Sequence, residues 1–208
     1  RRRRSFPLHR KARTDDHIIS PAQFCRLGAA DAHCRFLTIP IALYSRNCWV
    51  GPMEFVHAEG NRAPAGAQVR WLVGEGGVKL RVLTAATTRT PARGAVMVCP
   101  GLIEFIEKYF EVACELQDRG FNIAIIDWRS QGLSERPLPN AQKVHLRISD
   151  DAPKDLATVL AALEESLPRP RLVLGHSMGA AVALRALQLG LIGIDAAVFS
   201  APMWGVKA

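Results

Sequence analysis

The 208 residues contain no apolar run long enough to cross a bilayer. The nearest, residues 36–44, is interrupted by Thr38 and Pro40 and follows a long polar and basic stretch, so it reads neither as a span nor as a signal peptide. Cysteine is scarce: there are five, and none sits in a C-x-x-C or Cys/His spacing, which argues against a disulfide framework and a metal site. Cys99 and Cys114 read as structural thiols within a strand and a helix, and this usage points to a reducing, cytoplasmic compartment. The body of the chain also lacks net charge. Residues 1–52 hold ten Arg/Lys against three acidic residues, net +7, while residues 53–208 hold seventeen against sixteen, net +1. A nucleic-acid-binding face needs Lys and Arg clustered on a folded element, and residues 53–208 show none, so no nucleic-acid partner is expected.

The first 52 residues differ in kind from the rest. They open with Arg1, Arg2, Arg3 and Arg4, and their apolar residues keep neither a period of two nor one of 3.6. Residues 1–52 read as a basic, poorly structured leader, with Met53 as the candidate natural start. A functional basic arm that touches anionic lipid or nucleic acid is the alternative. Residues 53–208 read as one domain, and the 49% hydrophobic content of the 208-residue chain is enough for a sizeable core.

From residue 69 onward, strand and helix patterns alternate. Residues 69–73 and 78–84 read as a hairpin around the glycine-rich turn at 74–77. Continuous apolar strands are expected at 94–99, 122–127, 171–176 and 196–200, with amphipathic helices at 107–119, 149–167 and 178–189. Such strands, separated by helices, imply a mostly parallel sheet with helices on both faces, an α/β class with an antiparallel hairpin at its edge. The long irregular stretch is 129–147, rich in Pro, Gln and Ser.

Gly175-His176-Ser177-Met178-Gly179 fits G-x-S-x-G and lies between a predicted strand and a predicted helix. A sharp strand-to-helix turn pushes the serine oxygen above the sheet, and Gly175 and Gly179 let two backbone segments pass closely. Ser177 is therefore a candidate nucleophile. A second signal, Pro100-Gly101-Leu102-Ile103-Glu104, directly follows the strand ending at Cys99. Loops at the carboxyl ends of parallel strands gather on one edge, so this loop is expected to face Ser177. An acyl-transfer site needs backbone N–H groups aimed at the oxygen that becomes negative. Met178 can supply one and Leu102 the other, with Gly101 allowing close approach. An ordinary glycine-rich turn at either place is the alternative.

These residues carry a family likeness. From about Phe55 to the end, the chain resembles the α/β-hydrolase superfamily, and within it the lysophospholipase and monoacylglycerol lipase group. The matching stretches are residues 100–109, Asp127-Trp128-Arg129-Ser130-Gln131-Gly132-Leu133-Ser134 and the motif around Ser177. The resemblance implies that Ser177 attacks an ester carbonyl and that the Leu102 and Met178 N–H groups form the oxyanion hole. It implies a small-molecule lipid ester as substrate, with room for peripheral membrane contact, and no metal or organic cofactor. A general carboxylesterase or acyltransferase is the alternative, as is a non-catalytic binding protein on the same fold. Two departures stand out. Pro100-Gly101 replaces the His-Gly of many relatives, and Ser130 places a Cβ where Arg-Gly-x-Gly has glycine.

Serine is too weakly acidic to attack unaided, and in this fold its acid and histidine follow it in the chain. The thirty-one residues after Ser177 hold one aspartate, Asp195, no glutamate and no histidine. Asp195 precedes the last predicted strand, the wrong end for a triad acid. The resemblance implies that a lid, further strands and both remaining triad members lie beyond Ala208, so the chain reads as the amino-terminal part of an enzyme, inactive by itself. His176 is expected to pack, since neighbouring side chains at a strand end point apart. Glu104, Asp127 and Arg129 are expected to form a structural ion-pair network, and His145 to sit in an exposed loop, with contact to substrate as the alternative for each.

Overall fold

A computed structural model of the chain describes residues 55, 56 and 58–205. The expected leader at 1–52 and the candidate start Met53 lie outside the described residues. Six strands form one sheet: β1 (Gln68–Val73), β2 (Lys79–Ala85), β3 (Gly94–Cys99), β4 (Phe121–Ile126), β5 (Arg171–His176) and β6 (Ala196–Ser200). Their order is β1-β2-β4-β3-β5-β6. The β1/β2 and β2/β4 pairs are antiparallel, and the pairs β3/β4, β3/β5 and β5/β6 are parallel. The edge hairpin closes where the Gly74 N–H donates to the Val78 carbonyl at 2.8 Å.

Three helices cover the sheet: α1 (Phe110–Asp118), α2 (Asp151–Ala162) and α3 (Met178–Gln188). Side chains alternate along a strand, so β3 serves both faces. Ala95, Met97 and Cys99 join one buried cluster with Leu156 and Val159 of α2 and Val182 and Ala183 of α3. Val96 and Val98 join a second cluster with Phe110 and Ala113 of α1. This two-sided burial is why the central strands read as continuous apolar runs rather than as alternating ones. No helix among the described residues is long and apolar enough to cross a membrane.

Two helices differ from expectation. In place of one helix over 107–119, a 3-10 turn (Ile106–Tyr109) precedes α1. Tertiary partners set its geometry: the Ile106 N–H donates to Asp127 Oδ1 at 2.8 Å, and both Glu107 carboxylate oxygens are held by Arg81. The helix expected over 149–167 is α2 followed by a 3-10 turn (Glu164–Ser166). Pro168 disfavours helical geometry at Leu167, which ends the run. Residues 127–150 carry neither helix nor strand, and they are anchored rather than loose. Arg129 reaches α2 through Nε to Asp155 Oδ2 and Nη2 to Asp155 Oδ1, both at 2.7 Å.

Candidate active site

The carboxyl ends of β3 and β5 are adjacent, with Cys99 opposite Gly175 in register, so the loops that leave them share one edge of the sheet. Ser177 occupies the junction of β5 and α3 with φ 49° and ψ −116°, a conformation that non-glycine residues rarely adopt. Such strain persists only where surrounding contacts impose it. Here the Ser177 N–H donates to the Ser200 carbonyl at 3.0 Å, and the Met203 N–H donates to the Ser177 carbonyl at 3.1 Å. Contacts from β6 and the loop after it therefore hold the apex on both sides.

The turn is tight because glycines flank it. A Cβ on Gly175 would approach Ala180 Cα to 2.6 Å, and one on Gly179 would overlap the Cys99 and Pro100 carbonyl oxygens. The first turn of α3 thus lies directly on the backbone that leaves β3. Replacing Gly179 by alanine is expected to destabilise the protein by about 1–3 kcal/mol, the usual range for overpacking. A denaturant midpoint unchanged from wild type would show that the backbone yields without cost.

The loop after β3 is supported from below. The Trp128 indole N–H donates to the Pro100 carbonyl at 2.8 Å, and the Gly101 N–H donates to Glu104 Oε2 at 2.5 Å. Glu104 also accepts from the Tyr109 hydroxyl and the Lys108 ammonium. Burial alone would raise the Glu104 pKa, but the hydrogen bonds from Lys108, Tyr109 and the Gly101 N–H hold it below the ordinary glutamate range. Burial first, and then the hydrogen bond to Glu104, push the Tyr109 hydroxyl pKa upward, so it stays a donor. Pro100-Gly101 therefore finds its support in Glu104 and Trp128. The Leu102 and Met178 N–H groups have no hydrogen-bond acceptor among the described residues.

Glu104, Asp127 and Arg129 are joined to other charged groups, as expected, although not in a single network. Glu104 belongs to the loop just described. Asp127 is fully buried with Arg81 and Glu107: Arg81 Nε donates to Asp127 Oδ2 at 2.7 Å, and Nη1 and Nη2 donate to the two Glu107 oxygens at 2.8 Å. Burial and the neighbouring Glu107 push the Asp127 carboxyl up to about 6, against the pull of Arg81. Arg129 pairs with Asp155 and also donates to the Glu75 carbonyl at 2.8 Å. Ser130 takes up the left-handed turn at φ 64° despite its Cβ, because its N–H donates to the Glu135 carbonyl at 2.9 Å and its hydroxyl to the His145 carbonyl at 3.2 Å.

His176 is part-exposed and packs beside Gly101, its Nε2 3.6 Å from Glu104 Oε1. Asp195 sits at the opposite end of the sheet, paired with Arg169 at 2.9 Å and accepting the Arg171 N–H at 2.7 Å. His145 is half-buried rather than exposed, and its carbonyl accepts the Ser130 hydroxyl. Two residues at this edge escaped sequence reasoning. Arg81 is a charge inside an apolar strand pattern, which is a usable signal for a buried ion pair. Gln131, buried with its carboxamide oxygen accepting the Ile103 N–H, carries no local signal at all.

A mostly parallel sheet, helices on both faces and a serine at a left-handed strand-to-helix apex together define an α/β-hydrolase fold. The chain belongs to the serine aminopeptidase S33 family, whose sequence profile matches residues 90–208. It is 39% identical over 112 residues to lysophospholipase L2 of Escherichia coli strain K12, covering 53% of this chain and 33% of that protein. It is 33% identical over 110 residues to a monoacylglycerol lipase of Mycolicibacterium smegmatis, covering 52% of this chain and 37% of that protein. The chain thus spans about a third of the length of these curated relatives. Among solved structures, an esterase of Pyrococcus furiosus matches with a TM-score of 0.53 at 23% identity, covering 65% of this chain and 51% of the other. An Exiguobacterium antarcticum esterase matches with a TM-score of 0.53 at 18% identity, covering 64% and 45%. At these identities the structural likeness is one of fold.

Proposed function

We propose that the protein is a serine ester hydrolase acting on lipid carboxylic esters, of the lysophospholipid or monoacylglycerol kind, through an acyl-enzyme. The observation that carries this reading is the apex of Ser177, held in a strained conformation on the sheet edge it shares with Leu102, while the Leu102 and Met178 N–H groups have no acceptor among the described residues. Ser177 is the nucleophile in this reading, and its oxygen attacks the ester carbonyl. The two N–H groups then receive the oxygen that gains negative charge. The alcohol leaves, and water hydrolyses the acyl-serine in the reverse sense. This reading also requires a triad acid and histidine, and among the described residues Asp195 and His176 are engaged elsewhere, with Arg169 and beside Glu104. The lipid class of substrate rests on the lysophospholipase and monoacylglycerol lipase relatives. Work in the cytoplasm, with peripheral contact to membrane lipid, fits that substrate and the free thiols Cys99 and Cys114.

The test is labelling of the full-length protein with a serine-directed phosphonate, followed by peptide mapping. The expected adduct is on Ser177 alone, and Ser177→Ala should lose both the label and ester turnover. An adduct on another serine would overturn the assignment. The same preparation, assayed on a lysophospholipid, a monoacylglycerol and a short acetyl ester, should favour the long-chain substrates by kcat/KM. Preference for the acetyl ester would point to a general carboxylesterase, and acyl transfer to an added alcohol in place of water would point to an acyltransferase.

A further inference from the structure

Three consecutive peptide N–H groups leave the end of β3, and the outer two are occupied. Gly101 donates to Glu104 Oε2 at 2.5 Å, and Ile103 donates to Gln131 Oε1. Only the middle one, Leu102, has no acceptor among the described residues. A peptide unit is planar, so fixing the nitrogens of residues 101 and 103 restricts the rotation of the unit that carries the Leu102 N–H. The restraint is needed, because Ile103 has φ 60°, a left-handed conformation that a β-branched residue avoids.

Gln131 is well placed to supply that restraint. It is 2% exposed, it comes from the connection after β4, and its own N–H is fixed by the Trp128 carbonyl at 3.0 Å. Its carboxamide nitrogen is buried with no hydrogen-bond partner among the described residues. An orphaned buried donor destabilises a fold, and an apolar side chain of similar volume would avoid that cost. The useful end of this side chain is therefore its oxygen.

We propose that Gln131 is a positioning residue for the oxyanion loop: by accepting the Ile103 N–H it holds the strained turn that aims the Leu102 N–H at the reacting carbonyl. The inference rests on the reading of Leu102 as an oxyanion donor. Glu104 works from the other side of the same peptide.

The experiment compares Gln131→Met, Gln131→Asn and Gln131→Glu with wild type and Ser177→Ala in the full-length protein. Gln131→Met removes the acceptor at nearly constant volume, and Gln131→Asn withdraws it by one methylene. In each, kcat should fall about tenfold to a hundredfold, the scale for a misplaced group or donor, with KM changed less than about threefold. Gln131→Glu keeps an acceptor oxygen and, at a pH low enough to keep its buried carboxyl protonated, should stay within about threefold of wild type at the same pH. Inhibition by a substrate-like trifluoromethyl ketone, whose hemiketal oxygen occupies the oxyanion hole, should weaken in step with kcat/KM. A residue that only fills space would lower the melting temperature and leave kcat and this inhibition alone. If Gln131→Met does not fold, Gln131→Asn carries the same test. A folded Gln131→Met or Gln131→Asn with wild-type kcat would overturn the proposal, and so would equal losses in Gln131→Asn and Gln131→Glu. If Ser177→Ala kept full activity, the nucleophile assignment would fail instead, which separates the two readings.

Discussion

Arg81→Met is expected to cost about 3–5 kcal/mol of stability, the scale for breaking a buried ion pair by removing one partner. The guanidinium is fully buried, and it satisfies Asp127 and Glu107 together with three hydrogen bonds of 2.7–2.8 Å. Removing it leaves two carboxylates in an apolar interior with no cation between them. For a protein of this size, the melting temperature should fall by roughly 6–20 °C. The loss should also depend on pH. In the wild type the Asp127 pKa already lies above its unfolded value, so the stability tied to its protonation is present below about pH 4 and is lost as pH rises through about 6. Without Arg81 the pull that lowers Asp127 is gone, its carboxyl is pushed further up, and the deficit of the variant should widen from pH 5 to pH 8. Thermal melts of the two proteins across that range decide the matter. A shift under about 3 °C, or a deficit that narrows as pH rises, would show that the triad is not what ties β2, β4 and the turn before α1 together.

That triad marks where sequence reading stops. The central strands and the helices were legible because each is a local pattern: an apolar run, an amphipathic stretch, or a turn rich in glycine. The apex at Ser177 was legible for the same reason, since its glycines, its strand and its helix lie within some twenty residues of one another. Arg81, Glu107 and Asp127 come from three separate elements, separated in sequence by 26 and 46 positions. Their pairing is a property of the closed sheet, and no window of sequence contains it. The 3-10 start of the first helix follows from that pairing, which explains why helical periodicity alone placed a longer helix there. Gln131 is the extreme case. It acts on Ile103 from 28 positions away through one carboxamide, in a stretch whose composition says only that it is irregular.

The largest effect expected is on turnover: residues 1–208 expressed alone should hydrolyse an activated ester about 10⁴- to 10⁶-fold more slowly than the full-length protein, the usual cost of a missing triad member. The strained serine and the Leu102 and Met178 N–H groups are present, but among the described residues nothing is hydrogen-bonded to Ser177 Oγ to take its proton. Of the two described histidines, His176 turns its Nε2 toward Glu104 at 3.6 Å, and neither it nor His145 is hydrogen-bonded to Ser177 Oγ. Asp195, the one acid after Ser177, is engaged by Arg169 at the far end of the sheet. Surface chemistry should move with activity. Val198 of β6 is 58% exposed and Trp204 is 65% exposed, and an open groove beside α3 is lined by Leu146, Ile148, Leu184 and Met203. Such exposed apolar surface binds hydrophobic dyes and promotes association, so residues 1–208 should enhance dye fluorescence where the full-length protein does not. Turnover within about tenfold of the full-length protein, abolished by Ser177→Ala, would mean that one of His9, His17, His33, His57 or His145 supplies the base. The chain would then be complete as a catalyst, and the triad would follow an order foreign to this fold.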